Sequence, residues 1–232
     1  MNKILFIPAD SKNRPLAENL IKSIRKFHSE EELPIKIIDE QIATEYDDQN
    51  FWYRAAPLVA STLIKDYDLV IKMDADQLVL GPLDELFNFV GDVGVVLNDP
   101  TYPIGVWDIK TPDYYNNGLV VMRNKEFVGH WKRLCQSSHF LNYQFREQDI
   151  LNLLCSDYFN YQVNCLDGDK IYGEWAKSQW VKAKMKDGKV LLPENKELRV
   201  IHWGGGQGAP DKGKYRLRFQ KDVVAYIDGL LK

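Results

Sequence analysis

The chain has 232 residues, 45% of them hydrophobic and 27% charged, with a formal net charge of −3. That length suits one domain, and that balance of apolar and charged residues implies a packed core rather than disorder. Mild acidity without a long basic run argues against nucleic acid as the main partner, leaving only a local basic patch over Lys212 to Arg218.

Charges interrupt every apolar run well short of the roughly 18 residues that a membrane span requires, so no integral membrane segment is expected. Ile4 to Pro8 is too short for the apolar core of a signal peptide, and no cleavage site follows it. Cys135, Cys155 and Cys165 are odd in number and lack metal-type spacing. Reduced, buried thiols in a cytoplasmic protein are the expectation.

Lys3 to Pro8 reads as a buried strand, followed by a loop at Ala9 to Ser11. Leu16, Leu20, Ile21 and Ile24 recur at helical spacing and predict a helix over 13–27. Pro34 to Asp39 is a second strand, Tyr53 to Tyr67 a second helix, and Asp68 to Met73 a third strand. A short helix over Leu83 to Phe89 and a strand over Val93 to Leu97 follow. The second half is less regular: a strand at Gly118 to Met122, helices at Lys125 to Ser137 and Gln148 to Ser156, and a late strand at Leu198 to His202. Alternating strands and helices predict an α/β fold with a Rossmann-like, mostly parallel sheet flanked by helices. Ligands of such sheets bind beyond the carboxyl ends of the strands. No repeat, low-complexity tract or linker divides residues 1–232, so a single domain is expected.

The third strand ends in Asp74-Ala75-Asp76. Two carboxylates one residue apart repel unless a cation or proton compensates them. Magnesium and manganese take oxygen ligands and complete their shell with substrate phosphates, so this pair suits a metal bridging protein and a pyrophosphate. An ordinary acidic loop is the other reading of so short a motif.

The stretch Tyr67 to Phe87, which contains Lys72-Met73-Asp74-Ala75-Asp76 and Gly81-Pro82-Leu83, closely resembles the central signature of family 8 glycosyltransferases. That family includes glycogenin and the bacterial lipopolysaccharide galactosyl- and glucosyltransferases. Tyr115-Asn116-Asn117-Gly118-Leu119 is similar to the family's Asn-Ser-Gly strand, and Glu147-Gln148-Asp149-Ile150-Leu151-Asn152 to its Asp-Gln-x-x-Leu-Asn segment. Ile201-His202-Trp203-Gly204-Gly205 resembles its late His-aromatic-x-Gly motif. These motifs fall in family order over roughly residues 4 to 215.

The resemblance implies the GT-A fold, with a nucleotide-binding half over about 1–100 and an irregular acceptor-side half over about 101–232. It implies a metal-dependent, retaining transfer of sugar from a nucleotide-diphosphate donor, by family default a uridine diphosphate sugar, to a glycan or other hydroxyl acceptor. Asp74, Asp76 and His202 would hold Mn²⁺ or Mg²⁺, the imidazole suiting manganese better than calcium, although His202 equally fits a satisfied core histidine. Pro8, Ala9 and Asp10 would lie at the nucleotide base and ribose, although Asp10 equally fits a helix cap. Arg54 would meet a phosphate or an acidic-motif carboxylate, or else sit on the surface. Ala75, Asn117 and Gly118 would face the donor, Asn117 alternatively satisfying a strand end. Glu147 and Gln148 would lie near the anomeric carbon, with Asp149 as the fallback carboxylate; Glu147 and Asp149 also suit a helix first turn.

Glu147 replaces the family's usual aspartate and is one methylene longer. Gly204, Gly205 and Gly206 would let the backbone approach the diphosphate. The family's Lys-Pro-Trp is missing after them, and Lys212, Lys214 or Arg216 would have to replace its lysine. Trp107, Tyr114, Tyr115, Tyr172, Trp175 and Trp180 supply aromatics for an acceptor cleft or for core packing.

Three rival readings remain. A haloacid-dehalogenase-type phosphotransferase also pairs aspartates after a strand, but after its first strand. A sugar nucleotidyltransferase would need glycines after the first strand, where Pro8-Ala9-Asp10-Ser11-Lys12 has none. A nucleotide-sugar or carbohydrate binding module without turnover is the non-enzymatic alternative.

Overall fold

The computed structural model describes residues 1–98, 113–166, 182–203 and 219–232. The first half follows the expected alternation: β1 (Lys3–Pro8), α1 (Arg14–Arg25), β2 (Ile35–Ile38), the short α2 (Glu40–Thr44), α3 (Ala55–Leu63) and β3 (Leu69–Met73). After the acidic motif come β4 (Gln77–Val79), α4 (Asp84–Phe87) and β5 (Val93–Leu97). The second half supplies β6 (Tyr115–Met122), α5 (Lys125–Cys135), α6 (Glu147–Leu154) and β7 (Val163–Leu166). It closes with β8 (Lys184–Lys186), β9 (Lys189–Leu191), β10 (Val200–His202) and α7 (Lys221–Leu230).

Six strands form the main sheet in the order β2-β1-β3-β6-β5-β7. β1 runs parallel to β2 and β3, and β5 runs parallel to β7. β6 is the exception, lying antiparallel between β3 and β5. Its reversal matters for the site. The N-terminal end of β6, Asn116 to Gly118, lies at the sheet edge where β1, β3 and β5 finish.

Alternate residues of a strand face opposite sides of a sheet. In β1, Ile4 and Phe6 join the core beneath α3, α5 and α6, whereas Leu5 and Ile7 join the core beneath α1. Both faces are thus covered, as expected of near-continuous apolar strands such as Leu69-Val70-Ile71. A third, smaller core groups Leu78 and Leu80 with Ile201, Trp203 and α7.

The β4–β10 pair stands apart from the main sheet, antiparallel, with His202 opposite Gln77. Ser23 Oγ accepts from the Val79 amide at 3.0 Å, which anchors β4 to α1. His28 does the same for the next turn, its Nε2 accepting from the Leu83 amide at 2.8 Å.

Cys135 is buried and Cys155 partly so, and burial pushes both thiols up, Cys155 to about 12. Cys165 departs from the expected burial and is exposed, because it lies in the edge strand β7. Among the described residues no helix is long and apolar enough to cross a membrane.

Candidate active site

β3 delivers the acidic motif to the sheet edge. The Asp74 amide donates to Gly118 O at 2.8 Å, extending the β3–β6 pairing by one step. Beyond it the chain turns into β4, whose partner β10 ends at His202, and the Trp203 amide donates to Asp76 O at 3.1 Å. That pairing carries His202 to the motif across a separation of 126 residues. Its Nε2 lies 3.0 Å from Asp76 Oδ1 and 3.7 Å from Asp74 Oδ2. The three ligand atoms lie within 4.8 Å of one another. Octahedral ligands about 2.1 Å from a small divalent cation sit about 3 Å apart. The residues therefore fit such a metal in number, donor type and spacing.

Gly118 makes room for this arrangement. A Cβ there would lie 2.2 Å from His202 Cε1, 2.6 Å from its Nδ1 and 2.7 Å from Asn116 Oδ1. The imidazole rests where only a glycine leaves space. The need for glycine thus arises from the histidine, a cause that the motif alone did not disclose.

Lys72 was not anticipated as a site residue. Although β3 is otherwise apolar, the Lys72 side chain is buried there and its ammonium donates to Asp74 Oδ1 at 2.5 Å and to Asn117 O at 2.6 Å. It is an internal counter-ion for the acidic motif. A lysine two places before the aspartate, inside an apolar strand, was the available signal, because buried lysines almost always have partners.

The start of α6 forms the opposite wall. Asn117 Nδ2 donates to Glu147 Oε1 at 2.9 Å, and the Asn117 amide donates to Gln148 Oε1 at 3.2 Å. Asn152 clamps α6 to β6, accepting from the Tyr115 amide at 2.6 Å and donating to Tyr115 O at 2.8 Å. Burial pushes the Glu147 carboxyl up to about 8, with Asp74 adding to the shift and Lys72 opposing it.

Other expected residues are placed differently. Asp149 is fully buried; its Oδ1 accepts from the Tyr114 hydroxyl at 2.5 Å and its Oδ2 from the Phe145 amide at 2.9 Å. With both oxygens held, Asp149 fastens the first turn of α6 rather than serving as a reacting carboxylate. Arg54 does not meet the acidic motif. Its Nη1 bonds both oxygens of Asp48, at 3.1 and 3.0 Å, and its guanidinium lies 4.4 Å from the centre of the Phe140 ring. Asp10 Oδ1 accepts from the Asn13 amide at 2.9 Å and from Asn13 Nδ2 at 2.8 Å, bracing the turn that precedes α1; the residue at the helix N-cap is Asn13, not Asp10. Pro8 and Ala9 end β1 at the same sheet edge as the acidic motif, and Ala75 is buried between its aspartates.

Tyr114 is buried and Tyr115 packs against the core, so neither opens an acceptor cleft. Gly204, Gly205, Gly206, Lys212, Lys214 and Arg216 lie outside the described residues, as do Trp107, Tyr172, Trp175 and Trp180. Another wall of the site carries Trp52 and Tyr53, aromatics that the sequence did not assign to an acceptor cleft. Trp52, Tyr53, Asn117, Phe145, Arg146, Glu147 and Gln148 line an open cleft of about 240 Å³.

The sheet order, with its antiparallel β6 and the motif at the end of β3, is the GT-A fold of glycosyltransferases. Among solved structures, the chain is similar to the apo form of the bifunctional glycosyltransferase WbbM, with a TM-score of 0.64 and 15% identity over 99% of this chain and 50% of that one. It is similar to the galactosyltransferase LgtC, solved with donor and acceptor sugar analogues, with a TM-score of 0.61 and 16% identity over 98% of this chain and 95% of that one. A glycosyltransferase involved in glycosylating the major capsid of PBCV-1 gives a TM-score of 0.60 and 12% identity over 93% of this chain and 100% of that one. The chain thus spans half of WbbM and nearly all of LgtC. No family model and no curated protein matches it. At these identities the likeness is one of fold.

Proposed function

We propose that the protein is a metal-dependent glycosyltransferase that moves a sugar from a nucleotide-diphosphate donor, most naturally uridine diphosphate, to a hydroxyl of a glycan or other acceptor. One observation carries this reading: Asp74, Asp76 and His202 converge within 4.8 Å at the sheet edge of a GT-A fold. Asp74, Asp76 and His202 would hold Mn²⁺ or Mg²⁺. A divalent cation there would neutralise charge developing on the departing diphosphate.

The chain's own groups bind and orient. By resemblance, Pro8, Ala9 and Asp10 would take the nucleoside side, and Gly204, Gly205 and Lys212 the diphosphate side. Asn117, Gly118 and the carbonyl of Gln148 face the sugar. In the transfer, the bond from the anomeric carbon to the diphosphate oxygen breaks with its electron pair leaving on that oxygen. The acceptor oxygen bonds the same carbon and its proton passes to the departing phosphate. Entry from the same face retains configuration. Glu147, its carboxyl pushed up to about 8, is mainly a neutral acid at pH 7 in the metal-free protein. It suits hydrogen bonding better than nucleophilic attack. Catalysis then rests on positioning and on stabilising charge.

A second reading, a nucleotide-sugar binding module without turnover, draws on the Lys72 ammonium already bound to Asp74. Hydrolysis of a panel of nucleotide sugars, with and without Mn²⁺, decides between them. Metal-dependent release of nucleoside diphosphate, lost in Asp76→Asn, supports the transferase. Turnover that survives Asp76→Asn removes the metal assignment, and binding without turnover favours the module.

A further inference from the structure

Trp52 and Tyr53 follow the buried Phe51 in a single tight turn just ahead of α3. They are 41% and 59% exposed, although large aromatic rings are normally among the main contributors to core burial. The Phe51 ring packs edge-on against Trp52, with centroids 5.2 Å apart and planes at 81°, and so holds the indole in place from its inner side. The exposed rings form the rim of the cleft whose floor is Asn117, Glu147 and Gln148.

The facing wall is also braced. Arg146 has a φ of 52°, a left-handed backbone conformation that a residue with a long side chain rarely adopts. Its Nη1 donates to Leu141 O and Tyr143 O, both at 2.5 Å, tying down the loop that presents Phe145. Such strain persists only where the surroundings over-determine it, and it concentrates at ligand sites. On the floor, Asn117 Nδ2 donates to Glu147 Oε1 at 2.9 Å and the Asn117 amide to Gln148 Oε1 at 3.2 Å, so the polar groups at the base of the cleft are held in place.

We infer that this cleft is the acceptor subsite and that Trp52 and Tyr53 are the platform on which a pyranose ring of the acceptor stacks. The inference rests on the transferase reading and extends it to a substrate class. A pyranose has C–H faces for the aromatic rim and hydroxyls for the polar floor, where Asn117 and Gln148 would stand between it and the donor sugar. At about 240 Å³ the cleft falls below the roughly 300–1,000 Å³ of pockets that enclose drug-sized ligands, which suits one sugar ring and not a whole nucleotide sugar. The metal ligands stand across Asn117 from it, so donor and acceptor would meet over Gln148.

The test is direct binding of methyl α- and β-hexopyranosides to the full chain, measured by saturation-transfer NMR and titration, with and without UDP and Mn²⁺. At least one glycoside binds the wild type, and UDP does not displace it. Trp52→Ala weakens that binding about tenfold, the scale of one lost aromatic stacking contact. Tyr53→Ala weakens it less, and Trp52→Phe restores most of it. UDP affinity in the presence of Mn²⁺ stays within twofold of wild type in all three variants, which separates a lost subsite from a damaged fold. Failure of every glycoside to bind, displacement by UDP, or unaltered binding in Trp52→Ala overturns the assignment. Glycoside binding in a protein that turns over no nucleotide sugar keeps the subsite and removes the transferase reading.

Discussion

Replacing Gly118 with alanine adds one methyl group and no charge, yet it should disable the metal site. The new Cβ would lie 2.2 Å from His202 Cε1. Carbon atoms settle no closer than about 3.5 Å, so the imidazole has to retreat by about 1.3 Å. Coordination tolerates errors of only about 0.2 Å. The displaced Nε2 is therefore lost as a ligand, and Asp74 and Asp76 remain alone.

Even the loss of an outer-shell partner typically costs 10- to 100-fold in metal affinity. The loss of a direct ligand should reach at least the top of that range, about 100-fold or ~2.7 kcal/mol. Calorimetric titration of Mn²⁺ into the wild type, Gly118→Ala, His202→Ala and the double variant measures it. If the methyl acts through the histidine, the double variant binds Mn²⁺ no more weakly than His202→Ala alone. Wild-type affinity in Gly118→Ala, or full additivity in the double variant, refutes the steric account.

Other perturbations address the charges around the motif. Lys72→Met removes the buried ammonium from Asp74 while preserving most of its volume. Mn²⁺ affinity should then rise by about tenfold, because a cation no longer competes for the carboxylate. The metal-free protein should lose thermal stability that Mn²⁺ restores, and a fall in Mn²⁺ affinity would show that Lys72 instead supports the site. Glu147 has a folded pKa of about 8 against an ordinary 4.5, so the folded state keeps a proton that the unfolded chain releases. Its contribution to stability is complete below about pH 4.5 and is lost as pH rises through about 8. Glu147→Gln should flatten the pH dependence of the metal-free melting temperature over that window, and equal pH slopes in both proteins would contradict the assignment. Asp149→Asn should lower stability by about 1–3 kcal/mol through the Tyr114 and Phe145 hydrogen bonds while leaving Mn²⁺ affinity unchanged. Chemical denaturation and metal titration together check it.

What was readable from the sequence follows the range over which the physics acts. β1, α1 and β3 declare themselves because strand and helix periodicities are local, and their ends fall within a few residues of those expected. β4 is only three residues long, too short to show a period, and its partner β10 comes from the far end of the chain. Its pairing with β10 nevertheless brings His202 to Asp76, so the histidine could be proposed only by resemblance. Arg54 shows the reverse failure. Its place in the sequence implied an anionic ligand, whereas Asp48, six residues earlier, satisfies it locally. The aromatics of the irregular second half drew attention by their density, but Tyr114 is committed to Asp149. Trp52 and Tyr53, from the more regular half, are the exposed ones.

Lys72 and Gly118 together indicate how the site is built. Each lies on a strand of the main sheet, on β3 and β6 respectively; Lys72 pairs with Asp74, and Gly118 lies against His202. The rigid sheet therefore sets both the charge and the space available at the motif, while the ligand His202 arrives on the separate β4–β10 pair. The site's geometry is limited by the docking of β4 onto α1 through Ser23 and by the absence of a side chain at Gly118. Ser23→Ala should accordingly weaken Mn²⁺ binding without touching any ligand, by less than Gly118→Ala does, because it loosens β4 and leaves the imidazole's seat empty of obstruction. Equal or greater loss in Ser23→Ala, measured by the same titration, would place the decisive constraint in the β4–α1 contact instead of in the glycine.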